Sequence, residues 1–218
     1  MNILGVDTSG DGLSLALGRT AERTVERRIR TRRSDERLFP ELKRLLKRAG
    51  LSLSELNAVA AACGPGRFTG IRIGMTFARM LAASLDIPAV AVNRFEAWAA
   101  VSGDEPETAK PPSYKCVVLP AGRGDMFMQV FKTDGKGRCR PVRAPEFVGK
   151  GELENSLTRV CGREKAAVFR YDFDEKDFPG FPARFLIPAA REFLGRKRLP
   201  PFRPQYLRPA NYELLRER

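Results

Sequence analysis

Two short segments carry the residue types that could do chemistry in this sequence. The first, Asp7-Thr8-Ser9-Gly10, directly follows an apolar run. Short hydroxyl residues and glycine leave backbone N–H groups accessible to an anion, and the aspartate could orient a metal ion or a water molecule. The same residue types also form ordinary capped turns. The segment therefore predicts either a phosphate-binding loop or a structural turn.

The second segment is the Gly64–Gly66 turn (Gly64, Pro65, Gly66), which lies between an apolar run and a predicted helix. A strand, a tight turn and a helix start direct backbone N–H groups at whatever occupies the turn. Thr69 could cap the helix or orient an anion, and Arg67 and Arg72 could reach a phosphate or a tRNA. The alternative is a purely structural turn whose glycines permit close helix packing.

The composition excludes several classes of enzyme. Among 218 residues there is no histidine, which removes Ser–His and Cys–His catalysis and any His-based zinc or iron site. An all-carboxylate magnesium site is not excluded, but we find no Walker-type phosphate motif and no carboxylate pair that spacing would force together. The four cysteines show no CxxC spacing, which favours reduced, buried thiols.

The chain is strongly basic, with 39 Lys and Arg against 26 Asp and Glu. This excess favours a polyanionic partner such as nucleic acid, although some organisms carry basic proteomes. Met1 leads directly into a strand-like segment, and no apolar run approaches the ~20 residues of a membrane span. We therefore expect a cytoplasmic protein without a signal peptide.

Around these segments, periodicity predicts an α/β domain in the first half of the chain. Three strands joined by short turns would form a meander, followed by a helix closed by Gly50 and then by alternating strands and helices. The predicted strands are 2–8, 13–17, 24–29, 58–63 and 89–92, and the predicted helices are 35–49, 69–85 and 94–101.

The predicted helix 69–85 is apolar over well over half of its circumference, more than one buried face requires. Gly70, Gly74, Ala78 and Ala82 recur every four residues and would let another helix approach closely. The helix could be covered by a partner or buried entirely within its own domain. The expected partner-interface residues are Leu38, Leu42, Gly70, Ile71, Gly74, Met75, Ala78 and Ala82.

Residues 103–113 are polar and proline-rich, which is typical of a linker. We therefore predict an N-terminal lobe at 1–102, with the partner-binding helices, and a smaller C-terminal lobe with a basic tail at 114–218. The second lobe should contain strands at 116–119, 125–131, 138–143 and 166–169, and helices near 151–157 and 189–194.

Three stretches together resemble the TsaB (YeaZ) family: Ile3–Ser9, Asp35–Pro40 and the GPGRFTGIRIG string at Gly64–Gly74. The resemblance is close over about residues 2–100 and thinner beyond the linker. There, Pro120 and Asp125 replace an aspartate and a glutamate of the family pattern, while the tail beginning at Tyr206 matches it.

The resemblance implies a two-lobed actin/Hsp70-like (ribonuclease H-like) fold, with mixed sheets flanked by helices. It implies a non-catalytic subunit of the complex that places threonylcarbamoyl on adenosine of tRNA. Such a subunit docks a catalytic TsaD-like paralogue through helices of its first lobe and works with a TsaE-like ATPase. It contacts tRNA through the complex, and it forms a homodimer when isolated. Older classification groups the wider family with glycoproteases, but this sequence offers no residues for peptidase chemistry.

Three hypotheses follow from the sequence. The leading one is the non-catalytic subunit, with no tightly bound cofactor and with adenine nucleotide entering only at the level of the complex. The second is an ATP-dependent phosphotransferase or carbamoyl transferase that uses the Asp7–Gly10 loop. The third is a stand-alone RNA-binding module, suggested by charge alone.

Overall fold

The fold is described from a computed structural model that covers residues 1–18, 24–101, 114–122, 124–133, 139–161, 166–170 and 181–207. The described strands and helices form an α/β arrangement in which each sheet begins with a run of consecutive strands. The strands are β1 (Ile3–Asp7), β2 (Gly12–Gly18), β3 (Thr24–Arg30), β4 (Ala58–Gly64), β5 (Ala89–Asn93), β6 (Tyr114–Gly122), β7 (Asp125–Thr133), β8 (Cys139–Pro141), β9 (Glu146–Val148) and β10 (Ala166–Arg170). The α-helices are α1 (Ser34–Ala49), α2 (Phe68–Ser84), α3 (Arg94–Val101), α4 (Leu153–Cys161) and α5 (Leu186–Leu194).

The first sheet has the strand order β3-β2-β1-β4-β5. The predicted meander is confirmed, because β1 and β3 both pair antiparallel with β2. β4 then lies parallel to β1 and β5 lies parallel to β4, since α1 and α2 provide the crossovers that parallel strands require. This sheet brings the carboxyl ends of β1, β4 and β5 to one edge.

Both faces of the first sheet are covered. Leu4 and Val6 of β1 lie in the core cluster that α1 and α2 build on one face. Gly5 points to the other face, where a Cβ would lie only 2.6 Å from the carbonyl oxygen of Ala183 in the turn before α5. Burial on both faces explains why β4 is a continuous apolar run rather than an alternating pattern.

The second sheet repeats this topology. β6, β7 and β8 form an antiparallel meander, and β10 lies parallel to β6 as β4 lies parallel to β1. β9 also pairs with β7, and a small apolar cluster forms where Leu153 of α4 is buried with residues of β6 and β7. Two mixed sheets flanked by helices confirm the predicted actin/Hsp70-like fold class.

The domain division differs from the predicted one at two places. One compact unit ends its first stretch at Ala97, and the other begins at Trp98, a few residues before the predicted boundary. α5 and the segment that ends at Tyr206 belong to the first unit rather than to a C-terminal lobe at 114–218. The physical reason is the apolar face of α5, which packs against β1, β4 and β5. The predicted linker at 103–113 and the basic tail beyond Leu207 lie outside the described residues.

Within the described ranges, no helix combines the length and the apolar character that a bilayer-crossing segment needs.

A buried carboxylate fixes α1 to β3. Glu41 is 1% exposed, and its Oε2 accepts a hydrogen bond of 2.6 Å from Nε of Arg27 on β3. Its Oε1 lies 3.4 Å from Nη2 of Arg37 and also pairs with Arg44. Burial acts to raise the pKa of Glu41, but the Arg27 and Arg44 guanidiniums outweigh burial and the pKa lies below its ordinary value.

We predict that Glu41→Gln lowers the free energy of unfolding at pH 7 by roughly 1.5–3 kcal/mol, because hydrogen bonds to charged groups are removed from a buried site. Since the pKa of Glu41 is lowered on folding, its contribution to stability is complete above the pKa that Glu41 has in the unfolded chain. It disappears as the pH falls through the folded-state pKa. Urea unfolding of the wild type and the variant at pH 7 and near pH 3 measures the difference.

Glu36→Gln is the matched control, because Glu36 is exposed and pairs with Arg33 at 3.4 Å on the surface of the same helix. It should change stability by less than about 0.5 kcal/mol. Equal stability of Glu41→Gln and the wild type at pH 7 would contradict the assignment.

Candidate functional site at the glycine-rich turn

The two segments singled out in the sequence meet at one edge of the first sheet. β1 ends at Asp7 and β4 ends at Gly64, and the two strands are parallel neighbours. The backbone N–H of Arg67 donates to the carbonyl oxygen of Ser9 at 2.7 Å, which joins the two loops directly. The Arg67 guanidinium also pairs with Asp11 at 2.6 Å on the surface.

Asp7 is buried, and its two carboxylate oxygens differ in their partners. Oδ1 accepts two hydrogen bonds of 2.6 Å from Ser9, one from the backbone N–H and one from the hydroxyl. Oδ2 accepts no hydrogen bond from the residues that the structure describes but lies 3.4 Å from Nε of Arg94, whose side chain is only 3% exposed. An internal cation thus balances the charge of Asp7.

Arg94 is a buried charged side chain at this edge that the sequence motifs did not reveal. It begins α3 directly after β5, and its Nη1 donates to the carbonyl oxygen of Pro65 at 2.7 Å. Its guanidinium also lies 4.9 Å from the ring centre of Phe181. Arg94 is a charged residue that directly follows the buried strand β5, the neighbour of β4 in the same sheet. This position is the signal that could have identified it.

Gly70, Gly74, Ala78 and Ala82 form a small-residue ridge on α2, and its two glycines face the loop after β1. A Cβ at Gly70 would overlap the carbonyl oxygen of Thr8, and a Cβ at Gly74 would lie 2.5 Å from Oγ1 of Thr8. A Cβ at Gly66 would lie 2.6 Å from the carbonyl oxygen of Ser9. The Thr8 hydroxyl in turn donates to the carbonyl oxygen of Gly70 at 2.6 Å. The close approach that the glycines permit is therefore made within the chain.

The burial of the predicted partner-interface residues corrects their assignment to a docking surface. All of them except half-buried Gly70 are buried inside the first unit, so they cannot form an exposed docking face. The buried residues are Leu38, Leu42, Ile71, Gly74, Met75, Ala78 and Ala82. The wide apolar arc of α2 arises because one side covers the sheet and another packs against α1 and the Thr8 loop.

An exposed apolar surface lies at the border of α1 and α2 instead. Phe39 and Met80 are 49% and 55% exposed, respectively. The Phe39 ring contacts Phe77 edge-on, with 5.0 Å between ring centres. Ile73, Phe77 and Met80 follow one another at helical spacing, and Ile73 is half-buried. We call Phe39, Ile73, Phe77 and Met80 the α1–α2 flank.

Thr69 does not cap α2. The residue at the N-cap position is Arg67, and its side chain makes no capping hydrogen bond. Thr69 lies two residues later and is exposed. Gly10 is half-buried at the end of the first loop. Asp7, Ser9, Gly64 and Gly66 therefore gather at one place, but Thr69 does not cap the helix, which is one of the two roles that the sequence suggests for it.

The extended segment before Tyr206 covers the end of β4. The Gln205 N–H donates to the carbonyl oxygen of Cys63 at 2.7 Å, and the Gln205 side chain pairs with Asn93. Gly64 has φ +126°, and a Cβ there would overlap the Gln205 carbonyl oxygen. Tyr206 stacks on Phe68 at 4.6 Å between ring centres. No pattern in the sequence indicates this contact.

Cys63 is held as an inert thiol beside this site. Burial, and secondarily the nearby Glu96 carboxylate, raise the pKa of Cys63 to about 12. Burial also raises the pKa of Glu96 above its ordinary value. Cys63, Cys116 and Cys161 are buried, as predicted, while Cys139 is half-buried. A thiolate nucleophile is disfavoured here because the pKa is far above neutrality.

Across the described residues, no three His, Cys, Asp or Glu side chains come together in a group that could hold a metal ion. Arg72, the second predicted tRNA contact, is exposed and lies 5.2 Å from the ring centre of Phe68.

Comparisons with known proteins agree on one family. The profile of the family described as "TsaD: tRNA N6-adenosine threonylcarbamoyltransferase" matches residues 25–142, more than half of the chain. The chain is similar to the tRNA threonylcarbamoyladenosine biosynthesis protein TsaB of Bacillus subtilis, with 41% identity over 103 residues, 46% of this chain and 44% of that protein. It is also similar to TsaB of Haemophilus influenzae, with 33% identity over 99 residues, 45% of this chain and 42% of that protein. The matches thus span less than half of the length of these curated relatives.

The similarity of fold to a solved structure covers nearly the whole chain. YeaZ from Pseudomonas aeruginosa superposes with a TM-score of 0.70 and covers 94% of this chain and 99% of that chain. Its sequence identity is 22%, so this likeness concerns the fold.

We predict that Gly70→Ala lowers the free energy of unfolding by roughly 2 kcal/mol or more, because the added methyl group must displace the backbone of the Thr8 loop. The direction of this change is diagnostic. Alanine raises intrinsic helix stability by about 1 kcal/mol relative to glycine, so without the close approach of Thr8 the substitution would stabilise the protein. Chemical denaturation of both proteins measures the change. Gly195→Ala is the control, because the nearest atom to its added Cβ is 3.5 Å away. An undiminished stability of Gly70→Ala would contradict the close approach of Thr8.

Proposed function

The chain belongs to the family described as tRNA N6-adenosine threonylcarbamoyltransferase and, within it, to the TsaB (YeaZ) proteins, and we propose that it is a non-catalytic subunit of a tRNA-modifying complex. In this proposal the complex places threonylcarbamoyl on adenosine of tRNA. The chain docks a catalytic TsaD-like subunit through the helices of its first unit and works with a TsaE-like ATPase. The names of the TsaB relatives support the pathway, and the closure of the loop after β1 supports the non-catalytic role.

That closure is the observation on which the proposal depends. An enzyme that used the Asp7–Gly10 loop for phosphate would need the Asp7 carboxylate directed at a metal ion or a water molecule. Here Oδ1 is engaged by Ser9 and Oδ2 faces buried Arg94. Gly66, Gly70 and Gly74 bring α2 and the turn before it against Thr8 and Ser9, without room for a side chain. The same residues that could cradle an anion thus hold the first unit together.

The α1–α2 flank is the surface that fits a protein partner. Met80 and Phe39 expose large apolar side chains next to buried Phe77, so a helix laid along the flank would remove continuous apolar surface from water. The flank replaces the buried ridge as the proposed docking surface for the TsaD-like subunit. It is also the proposed contact between two copies when the chain is isolated.

We predict that Met80→Glu weakens capture of the TsaD-like subunit by at least about 10-fold, because a charge would be buried without a partner in the flank. Co-purification of the two tagged subunits measures the effect. Circular dichroism and the unfolding midpoint should stay unchanged, since Met80 is exposed and both residues favour helices.

Leu53→Glu provides the matched control. Leu53 is also an exposed large apolar residue of the first unit, 38% exposed, but it lies in the turn before β4. It should leave capture unchanged. Full capture by Met80→Glu would remove the α1–α2 flank from the proposal. Analysis of modified adenosine in tRNA from cells that depend on each variant then connects docking to function.

The competing enzyme hypothesis has its own test. Calorimetry of the isolated chain with Mg-ATP, followed by a turnover assay, should show neither tight binding nor product. Turnover by the isolated chain that is abolished in a folded Asp7→Asn variant would instead support a transferase at the Asp7–Gly10 loop.

A further inference from the structure

We propose that the arginine cluster held by Glu41 at the border of α1 and β3 is a binding site for the phosphate backbone of RNA. The cluster consists of Arg27, Arg37 and Arg44, which all contact the one buried carboxylate. The choice of RNA among polyanions rests on the proposed function, while the site itself rests on the geometry of these side chains.

The number of arginines exceeds what Glu41 requires. Arg27 alone satisfies Oε2 with two nitrogen atoms, Nε and Nη2, each 2.6 Å away. Arg37 and Arg44 then share Oε1. Three guanidiniums against one carboxylate leave two net positive charges at a site where a single ion pair would already balance the buried charge.

The outer two arginines remain available to a ligand while they are held in place. The side chains of Arg37 and Arg44 are 48% and 54% exposed. A guanidinium has five N–H donors in a rigid fork, and each of these arginines gives Glu41 only one nitrogen. The anchored arginines lose less side-chain entropy when they bind an anion than mobile surface cations would.

The helix extends the cluster into a basic stripe. Arg37, Arg44 and Arg48 lie at positions i, i+7 and i+11 of α1, and therefore on one side of the helix. At about 1.5 Å per residue, this stripe is roughly 16 Å long, which spans several phosphates of a nucleic-acid strand. Lys43 and Lys47 are exposed on the adjacent solvent side of the same helix.

The stripe and the α1–α2 flank lie on opposite sides of α1. At ~100° per residue, Phe39 lies roughly 140–160° around the helix from Arg37 and Arg44. Phe39 contacts Phe77 of α2, whereas Glu41 and its arginines face β3. RNA on the stripe and a protein on the flank can therefore bind the same helix at the same time.

The test measures RNA binding by the full chain without any partner protein. The probe is an unmodified tRNA transcript, and fluorescence anisotropy is recorded over a range of salt concentrations. We expect Arg37→Gln with Arg44→Gln to reduce the slope of log affinity against log salt by about 2, because two phosphates are no longer neutralised. At about 0.1 M salt this corresponds to an affinity that is roughly 10- to 100-fold weaker.

Arg143→Gln with Arg159→Gln is the matched control. These two arginines also share one glutamate, Glu146, at 2.6 and 2.9 Å, and the double change removes the same two charges from the second unit. The control should leave the slope unchanged. An equal decrease in both double variants would show that net charge alone attracts RNA and would overturn the site.

A second variant separates the site from a folding defect. Arg37→Lys with Arg44→Lys retains both charges but lacks the guanidinium fork, and we expect it to weaken RNA binding several-fold while the protein stays folded. Undiminished affinity of this variant would overturn the proposal. If the Arg37 and Arg44 variants lost binding to vesicles of phosphatidylglycerol but kept RNA binding, the cluster would be assigned to a membrane surface. That result would also overturn the proposal.

The result is independent of the docking test. A variant that no longer binds RNA but still captures the TsaD-like subunit supports the site and leaves the proposed subunit role standing. A wild-type chain that binds RNA through the cluster but captures no TsaD-like subunit would instead refute the docking proposal alone.

Discussion

The first unit depends on the direct contact between the loop after β1 and the glycine face of α2. The Thr8 hydroxyl donates to the carbonyl oxygen of Gly70, and the carbonyl oxygen of Ser9 accepts from the backbone N–H of Arg67. One side-chain and one main-chain hydrogen bond thus join the loop after β1 to α2 and the turn before it. Such a contact is possible only where the helix lacks side chains. It places Asp7 in a closed environment, and that environment makes buried Arg94 necessary as a counter-charge.

Much of the fold follows from local patterns in the sequence. The alternation of apolar and polar residues predicts β2, and the apolar runs predict β1 and β4. Leucines at helical spacing, followed by Gly50, predict α1, whose end has the left-handed cap that glycine favours. The meeting of the Asp7 and Gly64 loops also follows, because the carboxyl ends of parallel neighbours share one edge. These features are predictable because each depends on residues close together in the chain.

The remaining features depend on long-range contacts that periodicity does not report. α5 is an ordinary amphipathic helix in sequence, and only the uncovered face of the first sheet explains why it returns there. The Gln205 contact with Cys63 joins residues far apart in the chain through backbone atoms, which carry no sequence signature. The same limitation misdirected the interpretation of the ridge: Gly70 and Gly74 reveal that something approaches closely, but not whether it is another chain or Thr8.

The burial of the glycine ridge changes what a partner can recognise on this chain. Docking energy must come from side chains at the surface, and on α1 two opposite sides differ in chemistry: apolar at Phe39 and cationic at Arg37 and Arg44. Glu41 is what keeps the cationic side ordered, because its two oxygens fix guanidiniums from both β3 and α1. One buried carboxylate therefore stabilises the packing of α1 and, through the same bonds, sets the positions of the charges that a phosphate backbone would meet.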